Sequence, residues 1–251
     1  MTKLYIDAGT SWSKVLEVCE NEKDLQSSHL TSIHELNDYL LTPPPPQSTP
    51  FFYRNFIFPT KFLNFLNINF DGATGHMAKN RIKPDGKYQN EMLSLAYGAK
   101  KLLSGEELKD ATIIDLGSRD IKWVRFIDGK YKDLDWNGSC GSVTGATVEM
   151  LSKFYNVNVS EIHPNKERIP VTCGVFAMEK IMDEIVNDIP AETAIAKYIH
   201  GIAYNAWTFA HSPEKIYLSG GFCLNKCFIE SLKFYCEVVL MGRMILLEGL
   251  Y

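Results

Sequence analysis

The chain has 251 residues, 45% of them hydrophobic and 22% charged, with a formal net charge of −4. That is enough apolar material for one large domain or two lobes, and the acidic balance argues against a nucleic-acid surface or a basic membrane patch. No run approaches the roughly 18 to 20 apolar residues of a membrane span, and the opening "MTKLYIDAG" leads straight into a strand pattern with no apolar signal segment, so a cytoplasmic protein is expected.

In chain order, the first strand pair is read in "YIDAGTSWSKVLEV". A short helical pattern, "SIHELNDYL", precedes the tract "TPPPPQSTP", whose four consecutive prolines can neither continue a helix nor join a sheet ladder. "FFYRNFIF" is aromatic and strand-like. "NEMLSLAYGAKKLL" predicts a helix with Met92, Leu95, Ala96 and Ala99 on one face. "GEELKD" is a solvated loop, and "ATIIDLG" and "IKWVRFIDGKYKDLDW" carry strand composition with a hairpin turn at Asp128-Gly129. Three helices follow, over "SVTGATVEMLSKFY", "VFAMEKIMDEIV" and "ETAIAKYIHGIAYNAWTFA". The chain then gives the strand "KIYLSGG", a helix from near Leu224, and an apolar strand or helix from Val238. Strand-rich and helix-rich stretches alternate, which predicts an α/β class with helices packed on sheets.

Two stretches repeat one pattern. "YIDAGTSWSKVLEV" and "IIDLGSRDIKWVRF" each run from an apolar strand through Asp-x-Gly and a small polar residue to a second strand with a lysine at its start. Such a turn exposes backbone N–H groups that can cradle phosphate oxygens, and the aspartate can hold Mg2+, usually through water. One such turn is also what an ordinary hairpin contains. Two of them, with the paired glycines of "LSGGFCLN", predict a nucleotide clamped between two lobes.

In a reducing cytosol the six cysteines form no disulfide framework, which leaves buried thiols, a metal site or a redox role. Cys140 and Cys173 each precede a glycine where a helical pattern begins, a place that suits a small buried residue or a thiolate. Cys223 and Cys227 share a helix face without further ligands nearby and are read as core. None of the six histidines shows metal-ligand spacing, and His76, within "DGATGHMAKN", is read as a surface residue with a place near the cleft as the alternative.

The sequence resembles the superfamily of acetate kinase, sugar kinases, Hsp70 and actin. More narrowly it is similar to the BadF/BadG/BcrA/BcrD-type ATPases, which include the activators of 2-hydroxyacyl-CoA dehydratases. "IDAGTSWSK" resembles the family's first phosphate loop, "DGATGHMAKN" its Ala-Thr-Gly segment, "IIDLGSRDIK" its second phosphate loop and "YLSGGFCLN" its adenosine motif. "NGSCGSVTG" and "VTCGVFAMEK" resemble its two cysteine segments, in the same order.

The resemblance implies a two-lobed actin-like ATPase with duplicated ribonuclease H-like domains, one lobe over 1–110 and the other over 111–251. It implies that Asp7, Gly9, Thr10, Ser11 and Lys14 form one phosphate side, Asp115, Gly117, Ser118 and Asp120 the other, and that Gly220 and Gly221 lie beside the adenosine. The implied cofactors are ATP, Mg2+ and a [4Fe–4S] cluster shared across a homodimer, with Cys140 and Cys173 from each subunit as its ligands. The implied partners are an electron donor such as ferredoxin or flavodoxin and an electron-accepting dehydratase- or reductase-like protein. A small-molecule kinase and a non-hydrolysing nucleotide-dependent interaction protein are the alternatives.

Three departures stand out. Gly117-Ser118-Arg119-Asp120 replaces the family's Gly-Gly-Gln-Asp, and an arginine binds phosphate charge but cannot accept a hydrogen bond from an attacking water, so slow hydrolysis is expected. Gly141, Ser142 and Val143 follow Cys140 where the family has small residues and glycine, and Trp12 adds bulk to the first loop.

Overall fold

A computed structural model describes residues 2–21, 52–65, 68–137, 145–171 and 174–251. The predicted helix over "SIHELNDYL", the proline tract, Cys140 and Cys173 lie outside the described residues. The chain divides into two compact units, Met1–Ser104 with Met244–Tyr251, and Gly105–Arg243. The break thus precedes the expected 110/111 boundary, and Met244–Tyr251 joins the first unit rather than the second.

The first unit holds β1 (Lys3–Ala8), β2 (Trp12–Cys19), β3 (Phe52–Pro59), β4 (Phe70–Thr74), β5 (Ile82–Tyr88) and α1 (Glu91–Leu102). Its sheet has the order β3-β2-β1-β4-β5. β1/β2 and β2/β3 are antiparallel, while β1/β4 and β4/β5 are parallel. The second unit begins with β6 (Asp110–Leu116), β7 (Ile121–Ile127) and β8 (Lys130–Asn137). Helices α2 (Gly145–Phe154), α3 (Gly174–Val186) and α4 (Ala191–Phe209) follow, then β9 (Lys215–Gly220), α5 (Lys226–Leu232) and β10 (Glu237–Gly242). Its sheet order, β10-β9-β6-β7-β8, is the first order read backwards, again with two antiparallel pairs on one side of the central strand and two parallel pairs on the other. Two copies of one topology therefore underlie the two rhyming sequences, as expected for the duplicated α/β fold.

Burial follows position. β6, central in its sheet, is buried from Ala111 to Leu116, which is why its sequence is a continuous apolar run rather than an alternation. α4 is apolar around nearly its whole girth and is buried from Ala194 to Ala203. β4 and β5 have no strand signature: β5 reads "IKPDGKY", with a proline and a glycine on an edge strand where a missing N–H is tolerated and the register shifts. The segment from Val238 contains both readings, a strand (β10) and then a short helix, α6 (Ile245–Glu248).

α6 returns the chain to the first unit through two glycine contacts. The Asn90 side chain caps α1 by accepting from the Met92 N–H, and the expected face of Met92, Leu95, Ala96 and Ala99 is buried. Gly98 sits on the same helix, and a Cβ there would lie 2.0 Å from the Ile245 carbonyl oxygen. A Cβ on Gly249 would lie 2.0 Å from the Ser94 carbonyl oxygen. An alanine in an exposed helix interior is worth about 1 kcal/mol more than glycine. At Gly98 the sign should reverse, since backbone must move to admit the methyl group: Gly98→Ala is expected to lose about 1–3 kcal/mol. Urea unfolding followed by circular dichroism measures it, and a gain in stability would show that α1 and α6 do not pack this closely.

Candidate phosphate loops

In the first unit the loop is a hairpin between β1 and β2, closed by the Gly9 N–H donating to the Trp12 carbonyl at 3.2 Å. Asp7, one residue from the end of β1, stands opposite Lys14 on β2 and Thr74 on β4. Its carboxylate is buried, and the Lys14 ammonium donates to Oδ2 at 2.6 Å with only 14% of the lysine side chain exposed. The loop is also held from β3's end. Thr60 Oγ1 donates to the Gly9 carbonyl at 2.8 Å, and the Thr60 N–H donates to the Ser11 carbonyl at 2.8 Å. With its one hydroxyl proton given to Gly9, Thr60 accepts from Ser13 Oγ at 3.0 Å. Thr10 and Ser11 form the tip.

The Ala-Thr-Gly segment ends β4 beside this loop. Gly75 has φ 83°, and a Cβ there would lie 2.3 Å from the Ala8 carbonyl oxygen, so only glycine lets the two backbones approach. His76 follows, and its Nε2 lies 3.4 Å from Thr10 Oγ1. The imidazole is exposed, as read from the sequence, but it stands at the loop rather than away from it.

The second unit repeats the plan with different partners. Asp115 again lies one residue from the strand end, opposite Lys122 on β7 and Ser219 on β9. Here the hydroxyl of the parallel strand reaches the acid: Ser219 Oγ donates to Asp115 Oδ1 at 2.9 Å. The lysine reaches further along the loop, with Lys122 Nζ donating to Asp120 Oδ1 at 2.8 Å. Asp120 Oδ2 accepts from the indole N–H of Trp136 at 2.9 Å. Both oxygens of Asp120 are therefore engaged inside its own unit. The Gly117 N–H closes the loop on the Asp120 carbonyl at 3.2 Å. Gly145 and Ala146, opening α2, donate to the carbonyls of Gly117 at 3.3 Å and Ser118 at 2.9 Å. Gly220 has φ 92°, with its Cβ position 2.4 Å from the Leu116 carbonyl oxygen, while nothing lies within 4 Å of the Cβ position of Gly221.

Within each unit, then, the residues expected at phosphate come together: Asp7, Gly9, Thr10, Ser11 and Lys14 in one, and Asp115, Gly117, Ser118 and Asp120 in the other, where Gly220, expected beside the adenosine, pairs with Leu116 at the end of the same strand and Gly221 follows it. Thr60 and Trp136 were missed, and the place of His76 beside the loop was the lesser of its two readings. Their partners stand far along the chain, and no spacing in the sequence signals them. The chemistry of a phosphate cradle is present in each hairpin: a tight turn at a glycine, small hydroxyl residues at the tip, and an acid at the base.

No group of three or more His, Cys, Asp or Glu side chains among the described residues is placed to hold a metal ion. The four described cysteines are packing residues. Cys19 and Cys223 are buried, and Cys223 Sγ lies 3.1 Å from the Leu218 carbonyl oxygen. Burial pushes the thiols of Cys227 and Cys236 up to about 11, which keeps them protonated and poor ligands at neutral pH. The expected cluster ligands, Cys140 and Cys173, lie outside the described residues.

The buried pair in the first loop gives a direct test. Asp7→Asn removes the carboxylate 2.6 Å from a largely buried ammonium, and should cost about 3 kcal/mol of stability. Replacing both partners, Asp7→Asn with Lys14→Met, should recover most of that loss, since the uncompensated charge goes with the lysine. Urea denaturation of the three proteins measures this coupling, and additive losses would show that the two side chains do not act as a pair.

No protein-family model matches the chain. It is 28% identical over 92 residues to a 2-hydroxyisocaproyl-CoA dehydratase activator of Clostridioides difficile, covering 34% of this chain and 35% of that protein. It is 25% identical over 80 residues to an (R)-2-hydroxyglutaryl-CoA dehydratase activating ATPase of Acidaminococcus fermentans, covering 30% and 31%. The matched stretches thus span about a third of the length of these curated relatives. Among solved structures, the activator of the 2-hydroxyisocaproyl-CoA dehydratase from Clostridium difficile, with bound ADPNP, superposes over 99% of this chain and 92% of its own at a TM-score of 0.70 and 15% identity. Component A of the Acidaminococcus fermentans (R)-2-hydroxyglutaryl-CoA dehydratase does so over 99% and 94%, at a TM-score of 0.66 and 17% identity. In sequence over part of its length, and in fold over nearly all of it, the chain resembles the activators of 2-hydroxyacyl-CoA dehydratases.

Proposed function

We propose that this protein is an ATP-dependent activator that passes an electron to a dehydratase- or reductase-type partner. The observation that carries the reading is the duplication: two units of one topology each place Asp-x-Gly at the end of the central strand, with a lysine opposite and a positive-φ glycine at the C-terminal end of the neighbouring parallel strand, Gly75 just after β4 and Gly220 closing β9. In this reading the N–H groups of Gly9, Thr10 and Ser11 and those of Gly117 and Ser118 bind phosphate oxygens. Asp7 and Asp115 face a hydrated Mg2+. The open space at Gly221 admits the adenosine against backbone.

The electron would come from a [4Fe–4S] cluster held by Cys140 and Cys173 of two copies of the chain, and such a cluster supplies one-electron reduction when bound. The assignment to these two cysteines is what the family resemblance implies; of the described cysteines, Cys227 and Cys236 are held protonated by burial. Protein purified without oxygen should be brown and carry about four irons per dimer. Cys140→Ser and Cys173→Ser should each bleach it, because one substitution removes two of the four ligands of a symmetric site. A wild-type protein that stays colourless after anaerobic reconstitution with iron and sulfide would favour a small-molecule kinase instead.

Arg119 bears on turnover and favours a second reading, a protein that holds ATP and hydrolyses it slowly until a partner docks. Its side chain is exposed beside a loop whose own acid, Asp120, is engaged by two donors. A guanidinium there strengthens ground-state binding of the terminal phosphate and contributes nothing to activating water. Arg119→Gln is expected to raise single-turnover hydrolysis of Mg-ATP about tenfold or more while loosening ATP, because the amide oxygen can accept a hydrogen bond from the attacking water and the guanidinium cannot. A wild type that already hydrolyses briskly, with the glutamine variant no faster, would place Arg119 away from the phosphates.

A further inference from the structure

We propose that His76 is a phosphate-binding residue of the nucleotide site, donating from its imidazole to the phosphate chain at the tip of the first hairpin; this rests on the nucleotide reading above. The position is built, not incidental. Gly75 holds β4's end against Ala8, because its Cβ position is only 2.3 Å from the Ala8 carbonyl oxygen. His76 then opens a short turn, His76–Ala78, that is closed by the Ala78 N–H on the Gly75 carbonyl at 3.1 Å and anchored by the fully buried Ala78. The result is an exposed imidazole whose Nε2 stands 3.4 Å from the Thr10 hydroxyl, beside the N–H groups expected to take phosphate. Thr10 Oγ1 lies at the outer limit of hydrogen-bond distance, so it orients the ring without saturating it.

The duplicated unit shows what the side chain adds. The residue after the positive-φ glycine is His76 in the first unit and Gly221 in the second, where the corresponding space is open. One copy of the fold leaves this place empty and the other fills it with a group that has two ring nitrogens and can carry positive charge. The other cation of the first loop, Lys14, is committed to Asp7 at the hairpin's base. At the tip, the imidazole therefore joins the hydroxyls of Thr10 and Ser11 as a donor to an anion, and among these three it is the one that can carry positive charge. Met77, exposed beside it, offers no such donor.

The test is calorimetric titration of wild type, His76→Gln and His76→Ala with Mg-ATP and, separately, with adenosine, which carries no phosphate. His76→Ala should weaken Mg-ATP about tenfold, the loss of one charge-assisted hydrogen bond, and leave adenosine binding unchanged. His76→Gln places an amide N–H near the former Nε2 and should recover part of the Mg-ATP affinity, which a merely structural role would not predict. Unchanged Mg-ATP affinity in His76→Ala, with wild type binding normally, would overturn the assignment and leave the nucleotide reading standing. Loss of adenosine and Mg-ATP alike in that variant would make His76 a structural residue and overturn it too. A wild type that binds neither ligand would remove the nucleotide reading itself, and this proposal with it.

Discussion

Two buried aspartates, Asp7 and Asp115, set the terms for everything around them. A carboxylate taken out of water at the end of a central strand must be met by donors, and the fold supplies them from both neighbouring strands. The antiparallel neighbour presents a lysine and the parallel neighbour a hydroxyl, at the same register in both units. The copies then diverge. In the first, Lys14 reaches Asp7, and the buried Thr74 hydroxyl makes no hydrogen bond. In the second, Ser219 reaches Asp115, and Lys122 extends to Asp120. One arrangement thus fixes the base of a hairpin, and the other braces the loop beyond it.

That brace has a longer reach. Asp120 is tied to Trp136 at the end of β8, and Gly117 and Ser118 are tied to the first turn of α2. The chain on either side of segment 138–144, which includes Cys140, is therefore bonded to the four residues Gly117–Asp120. Any displacement of that loop by a ligand acts on Trp136 and on Gly145 and Ala146 through hydrogen bonds of 2.9 to 3.3 Å.

The sequence made some of this legible and concealed the rest for physical reasons. The hairpins were readable because Asp-x-Gly interrupts two runs of β-branched and aromatic residues, and α1 and α4 because their apolar residues recur at helical spacing. β4 and β5 were not, because "FDGAT" and "IKPDGKY" combine glycine, proline and charge in strands whose stability comes from pairing with β1 and with each other. The return of α6 to the first unit depends on Gly98 and Gly249 letting backbone meet backbone, and a close approach leaves no periodic trace. Thr60 and Trp136 escaped for the same reason: each acts on a residue remote in sequence. The cysteine segments are read by resemblance alone, since a lone cysteine before a glycine is chemically ambiguous, and Cys140 and Cys173 lie outside the described residues.

Arg119 shows how far the scaffold decides function and where side-chain identity takes over. Its neighbours are fixed: the Ser118 carbonyl accepts from Ala146, the Asp120 carbonyl accepts from Gly117, and the Asp120 carboxylate is held by Lys122 and Trp136. The backbone at position 119 therefore leaves the loop in a direction set by residues on three other elements, β7, β8 and α2. Only the exposed side chain is free of that constraint. A substitution there alters what the loop offers a ligand with little change to how the loop is built, because among the described residues the bonds that shape it run through Lys122, Trp136, Gly145 and Ala146. In the proposed reading, position 119 is therefore where side-chain identity acts on both properties: a guanidinium adds a donor for phosphate, and a group that can accept from water would favour turnover.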